Sequence, residues 1–146
     1  MSSLVGHQIQ QSEKVKTLVQ DLVGEVTKIN SQLTGIRAAQ NEFKDSGKQK
    51  IDAAGLYRGR PLHYPYMGTS AGRGPYVELE DGSVKLDLIN GIGIHLMGHS
   101  HPRVITAAVR GALSDILNQG NLQPNNEYRL FTEKMVKIAS RKSRLK

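Results

Sequence analysis

Between Tyr76 and Ile89 the chain alternates polar and apolar residues on either side of Asp81-Gly82, and no other stretch restricts the fold as sharply. Tyr-Val-Glu-Leu-Glu before the dipeptide and Ser-Val-Lys-Leu-Asp-Leu-Ile after it carry the two-residue period of half-buried strands. Asp-Gly supplies the positive φ that a tight turn needs, so the stretch reads as an antiparallel hairpin. In that pairing Val77 and Leu79 share one face with Val84, Leu86 and Leu88.

Helical periods flank the hairpin. Val15, Val19, Leu22, Val26, Ile29, Leu33 and Ile36 are spaced alternately four and three apart, a heptad seam with Gly24 and Gly35 off it. This predicts one long amphipathic helix that lies on its own domain or on a dimer partner. Asn41 to Gln49 is polar and reads as a linker, so residues 1–50 are expected to form a helical arm and linker ahead of a unit over 51–146. Arg58 to Pro75 holds three prolines and four glycines and reads as extended loop. After Pro102, the residues Val104, Ile105, Ala108, Val109, Ala112, Leu113, Ile116 and Leu117 give a broad apolar helical face ending at Gln119-Gly120. A last helix begins near Glu127. The fold class is therefore α+β: a long N-terminal helix, an antiparallel hairpin or small sheet, and two further helices.

Bulk properties narrow the function. A chain of 146 residues suits one domain. With no cysteine it can form neither disulfides nor thiolate metal sites, and a cytoplasmic location is expected. No apolar run reaches membrane-spanning length, and the N-terminus does not read as a signal peptide. The net charge of +7 includes Lys134, Lys137, Arg141, Lys142, Arg144 and Lys146 near the end. Such a run can bind nucleic acid through phosphate, but no aromatics interleave it, and a solvated helix terminus explains it better. No nucleic-acid or membrane partner is expected.

Three histidines, His95, His99 and His101, fall within seven residues. A zinc site needs three or four ligands in a tetrahedral array, and here no cysteine and no suitably spaced carboxylate completes one. Gly98 and Pro102 bracket His99 and His101 as a strand-to-helix turn, with Ser100 or His101 capping the helix and Pro102 opening it. No metal is expected. Gly72-Arg-Gly and Gly91-Ile-Gly each hold a Gly-x-Gly that does not complete a dinucleotide fingerprint. No nucleophile elbow or Ser-His-Asp order is visible, so no catalytic residue is assigned.

The ordered set Gly72-Arg-Gly-Pro-Tyr-Val-Glu-Leu-Glu-Asp-Gly-Ser-Val-Lys-Leu-Asp-Leu-Ile-Asn-Gly-Ile-Gly, then Gly98-His-Ser-His-Pro and an apolar helix, resembles the N-terminal segment of class-III pyridoxal-phosphate-dependent aminotransferases. These are the ornithine, acetylornithine and 4-aminobutyrate transaminase group. The resemblance covers roughly Arg60 to Lys146 and implies part of a fold-type I enzyme, a homodimer, and amino-group transfer between an amino acid or amine and a 2-oxo acid. It implies that Gly91, Ile92 and Gly93 line the substrate entrance, with Tyr64 and Tyr66 as candidate aromatics, and that Asn121 and Leu122 reach toward the neighbouring subunit. Family members are several times longer, and their large domain holds the phosphate cup and the Schiff-base lysine. None of the eleven lysines here lies in a comparable context. The resemblance thus implies pyridoxal 5′-phosphate in a full-length enzyme, none bound by this chain alone, and no transamination by it alone. Two other readings stand beside it: a stand-alone helical dimerisation module and a basic nucleic-acid-binding protein.

Overall fold

The computed structural model describes residues 4–113 and 124–140. Among these the chain is α+β, with six helical segments and a three-stranded antiparallel sheet in the order β1-β2-β3. The helices are α1 (Val5–Gln11), α2 (Glu13–Asn30), α3 (Asn41–Tyr57), α4 (Asn90–Gly93, a single turn), α5 (Pro102–Ala112) and α6 (Asn126–Ser140). The strands are β1 (Gly68–Arg73), β2 (Tyr76–Leu79) and β3 (Val84–Leu86). Contacts divide the chain into residues 1–110 and 111–146, and the sheet belongs to the first unit. Among the described residues no helix is long and apolar enough to cross a membrane.

The hairpin forms, but its register is one residue away from the expected one. Tyr76 pairs with Leu86, Val77 with Lys85 and Glu78 with Val84. A two-residue Asp-Gly loop would have set Glu78 against Lys85. Instead Leu79 N–H donates to the Ser83 carbonyl at 2.8 Å, and Gly82, at φ 75°, donates back to the Leu79 carbonyl at 2.8 Å. The loop is thus three residues long, Glu80 to Gly82, with glycine in the left-handed position. One residue of slip exchanges the faces of a strand. Val77 therefore faces with Lys85, and Val84 and Leu86 face with Tyr76 and Glu78, which corrects the expected apolar face.

Val84 is 1% exposed and is the most deeply buried large side chain described; Val19, Val23 and Leu33 complete the buried apolar set. Both backbone groups of Val84 are bonded to Arg37, at 3.0 and 3.1 Å, so the segment after α2 acts as a further edge on β3. The Arg37 guanidinium then reaches the Gly82 carbonyl at 2.8 Å and Glu78 at 2.7 Å.

The expected long helix is shorter and turned. Ser12 caps α2 by accepting from Val15 N–H, and the helix stops at Asn30, so Leu33 and Ile36 lie beyond it. Its buried residues are Val19, Val23 and Asn30, whereas the heptad positions Leu22 and Ile29 are 52% and 55% exposed. The helix lies on its own unit along a stripe close to four-residue spacing, and a straight helix drifts off a seven-residue repeat.

The stretch Asn41 to Gln49 is not a linker; it is the first half of α3. Its covered side consists of Gly47 and Gly55 with half-buried Ile51 and Ala54, an i, i+4, i+7, i+8 pattern built mostly from small residues. A Cβ on Gly47 would stand 3.0 Å from the Glu80 backbone, so the helix meets the hairpin loop backbone to backbone. Lys50 then pairs with Glu80. Likewise Arg58 to Pro75 is not all loop, because Gly68–Arg73 forms β1, with an irregular register between Gly68 and Gly72 and Ser70 at φ 72°. Of the expected helix from Val104 to Leu117, α5 covers the part to Ala112; Ile116 and Leu117 lie outside the described residues.

This packing ranks two truncations. Val84→Ala is expected to lower unfolding free energy by about 2 kcal/mol, from two lost methyl groups and the cavity they leave. Leu22→Ala on the exposed side of α2 should cost under about 0.5 kcal/mol. Urea titration of both variants measures the order; a larger loss at Leu22 would restore the heptad seam as the buried face.

Candidate functional site

Beyond β3 the chain turns sharply at Asp87. Its backbone N–H is bonded to the Pro75 carbonyl at 2.8 Å, and the strand has already ended at Leu86, so Asp87 does not sit mid-strand as the alternation suggested. One carboxylate oxygen, Oδ1, accepts from the Ile89 and Asn90 N–H groups, both at 2.9 Å. Ile89 is right-handed and Asn90 left-handed (φ 55°), a pair that points successive N–H groups into one concavity suited to an anion. The other oxygen, Oδ2, lies 2.7 Å from His99 Nε2. Both side chains are largely covered, and the His99 ring lies against that of His95 with centroids 4.1 Å apart. The His99 hydrogen bond, and after it the amides of Asn90 and Ile89, hold the Asp87 carboxyl below its ordinary value of 3.8, outweighing the upward push of desolvation.

The glycines at 72, 74 and 98 make this possible. Gly74 and His99 exchange two backbone hydrogen bonds, at 2.8 and 3.1 Å. A Cβ on Gly98 (φ 84°) would stand 2.8 Å from Gly74 Cα, and one on Gly72 would stand 2.8 Å from His99 Cβ. Gly72 to Gly74 and Gly98-His99, distant in sequence, therefore form one backbone clamp. His101 follows it and caps α5: its Nδ1 accepts from Arg103 N–H at 3.2 Å, its carbonyl from Val104 and Ile105 N–H, and Pro102 is the first helical residue.

Gly91, Ile92 and Gly93 lie in α4, which is left-handed: φ is 56°, 59° and 82° at these three residues. A β-branched residue is costly there, roughly 1–2 kcal/mol. Ile92 is 89% exposed, so packing does not repay that cost. A recess of about 370 Å³ beside the turn is lined by Gly74, Pro75, Asp87, Asn90, Leu96 and the two histidines among others. Tyr64 and Tyr66 do not line it; they are 64% and 63% exposed on the loop before β1, where Tyr66 N–H bonds the Tyr64 carbonyl at 2.8 Å. Asn121 and Leu122 lie outside the described residues. Among the described residues no three His, Asp or Glu side chains are grouped to hold a metal ion.

What sequence reasoning missed is the Asp87–His99 pair. An aspartate two and three residues before the amides of a Leu-Ile-Asn-Gly turn is a local signal for side-chain capping of the backbone. Because Asp87 is held below its ordinary value, its contribution to stability is complete above pH 3.8 and is lost as pH falls through the lower folded value. Acid titration of the parent should show this added loss below pH 3.8. Asp87→Asn should lack it and be the less stable protein at neutral pH, as read from thermal melts across the pH range.

Comparison with known proteins gives one partial relationship. No family model matches the chain, and no solved structure matches it. A stretch of 66 residues is 33% identical to the acetylornithine aminotransferase of Aquifex aeolicus (strain VF5), covering 45% of this chain and 17% of that protein. Over that stretch the chain has an aminotransferase-like relationship.

Proposed function

We propose that this chain forms the N-terminal small-domain segment of a cytoplasmic, homodimeric class-III aminotransferase, one that moves an amino group between an amino acid or amine and a 2-oxo acid. The observation that carries this reading is the 33% identity over 66 residues with an acetylornithine aminotransferase. The fold supports it from another side, since the residues that carry the resemblance, Gly72 to Gly74 and Gly98 to Pro102, are joined by backbone hydrogen bonds and a helix cap. Because the match spans 17% of its relative, activity and substrates belong to this reading of the whole protein.

Pyridoxal 5′-phosphate would supply the electron sink for the chemistry. The described residues do not fit that group. Every described lysine is exposed except half-buried Lys16, which is paired with Glu13 at 2.7 Å. The first amides of α5, a natural phosphate seat, are already taken by His101. The contribution of this segment is therefore one of shape: Gly91, Ile92 and Gly93 form an edge of the substrate entrance, and Tyr64 and Tyr66 offer aromatic surface.

A second reading, a helical dimerisation module, draws on the exposed stripe Leu18, Leu22 and Ile29 along α2. Two measurements separate the readings. Sequencing past the Lys146 codon should reveal a long α/β stretch with a lysine in a phosphate-cup context. Sedimentation of the 146-residue chain by itself should show ill-defined self-association, because Leu88, Ile92, Ile94 and Leu96 are exposed around α4. A monodisperse dimer with no further coding sequence favours the module, and a cooperatively melting monomer counts against the aminotransferase segment.

A further inference from the structure

Asn30, the last residue of α2, is buried where an amide should have a partner. It is 9% exposed, and among the described residues its side chain makes no hydrogen bond. Its carbonyl is taken by Leu33 N–H at 3.0 Å, and the carbonyls of Thr27, Lys28 and Ile29 are covered by Ser31 N–H. The group that Asn30 has left to present is its side-chain amide. A buried amide without a partner in the chain calls for a ligand or an ordered water. Asn30 lines a recess of about 240 Å³ where the end of α2, the end of β1 and the start of α5 come together.

The other groups around this recess are positive or neutral. Arg73 closes β1 and lines it; one guanidinium N–H reaches the Ser31 carbonyl at 3.3 Å, and no described carboxylate pairs with it. Ser100 and His101 line it just before α5, whose N-terminus adds the positive end of a helix dipole. The first α5 amides are spent on His101, but the Ser100 hydroxyl and N–H have no described partner. Among the described residues no Asp or Glu lines the recess. We propose that it binds a phosphate group, free or at the end of a small monoester, through the Arg73 guanidinium, the Asn30 amide and Ser100. Arg73 supplies the charge and a fork of donors, Asn30 a buried neutral donor, and Ser100 a hydroxyl. Donors that arrive from three separate elements suit a tetrahedral oxyanion better than a planar carboxylate. All three residues belong to the first unit, and the site does not rest on the aminotransferase reading.

Equilibrium dialysis of the 146-residue chain against inorganic phosphate, at ionic strength fixed with chloride, tests this in any state of association. The parent should show a single saturable site per chain. Arg73→Gln, at an exposed position, should keep the fold and weaken binding by about tenfold, the equivalent of one charge-assisted hydrogen bond. Arg103→Gln removes a cation that does not line the recess and should bind as the parent does. Asn30→Asp places a carboxylate in the recess and should abolish binding. Should Asn30→Asp also lower the thermal melt, Ser100→Gly is read in its place, since glycine keeps the positive φ of 52° and removes only the hydroxyl: weaker binding supports the site, and parental binding overturns it. The absence of a saturable site, parental affinity in Arg73→Gln, or equal weakening by Arg103→Gln overturns the proposal. Acetate competing as well as phosphate overturns the assignment of the ligand. Competition by phenyl phosphate assigns the end of a monoester and its failure the free ion, and either result supports the site.

Discussion

Val84 is hydrogen-bonded through both backbone groups on one edge, paired across the hairpin on the other and buried on its side-chain face, and the rest of the first unit is arranged around that one residue. Its carbonyl and N–H are taken by Arg37, it pairs with Glu78 across the hairpin, and its side chain is the most deeply buried of the large described residues. This state depends on the three-residue loop. Had Asp81 and Gly82 alone made the turn, Val84 would have opposed Leu79 and its side chain would have pointed with Val77 to the other face. The loop is kept by contacts outside the hairpin: Gln40 N–H reaches the Asp81 carbonyl at 2.9 Å, Arg37 the Gly82 carbonyl, and α3 closes over Glu80. Tertiary contacts thus select the register, and the register in turn sets where β3 ends and where Asp87 emerges.

That dependence explains what was legible in the sequence. The hairpin was, because alternation with Asp-Gly is a local signal. Its register was not, because both faces of the pattern are apolar enough to be buried: Val77 and Leu79 on one, Tyr76, Val84 and Leu86 on the other. The α3 helix escaped notice for a different reason. Its covered side uses Gly47 and Gly55, which allow a close backbone approach but score as linker residues. Strand β1, Gly-Thr-Ser-Ala-Gly-Arg, has little strand propensity and is recruited because Gly72 and Gly74 must meet His99.

At the site the same division holds. Gly98 takes positive φ and Pro102 opens α5, both local requirements, but the element before them is the α4 turn and not the strand expected there. The partner of His99 is non-local. Asp87 lies twelve residues upstream, and only the end of β3 and the Gly74 clamp bring the two together. Taken as a count of histidines, the stretch invites a metal. In the fold the three have separate work: His95 braces a ring, His99 orients a carboxylate, and His101 caps a helix.

The left-handed turn follows from these constraints in sequence. A chain leaving β3 must reverse to bring Gly98 back onto Gly74, and eleven residues, Asp87 to Met97, are available for it. The Asp87 carboxylate takes the Ile89 and Asn90 amides as a capping aspartate does, two and three residues on, and the left-handed φ values begin only at Asn90. Asn90 tolerates that conformation and glycines at 91 and 93 extend it at little cost. Ile92 does not share that tolerance, and its exposed side chain gains nothing from burial within this unit. A residue that strains the backbone and contributes no internal packing marks its turn as a candidate functional element. In the aminotransferase reading that is the entrance to a substrate site.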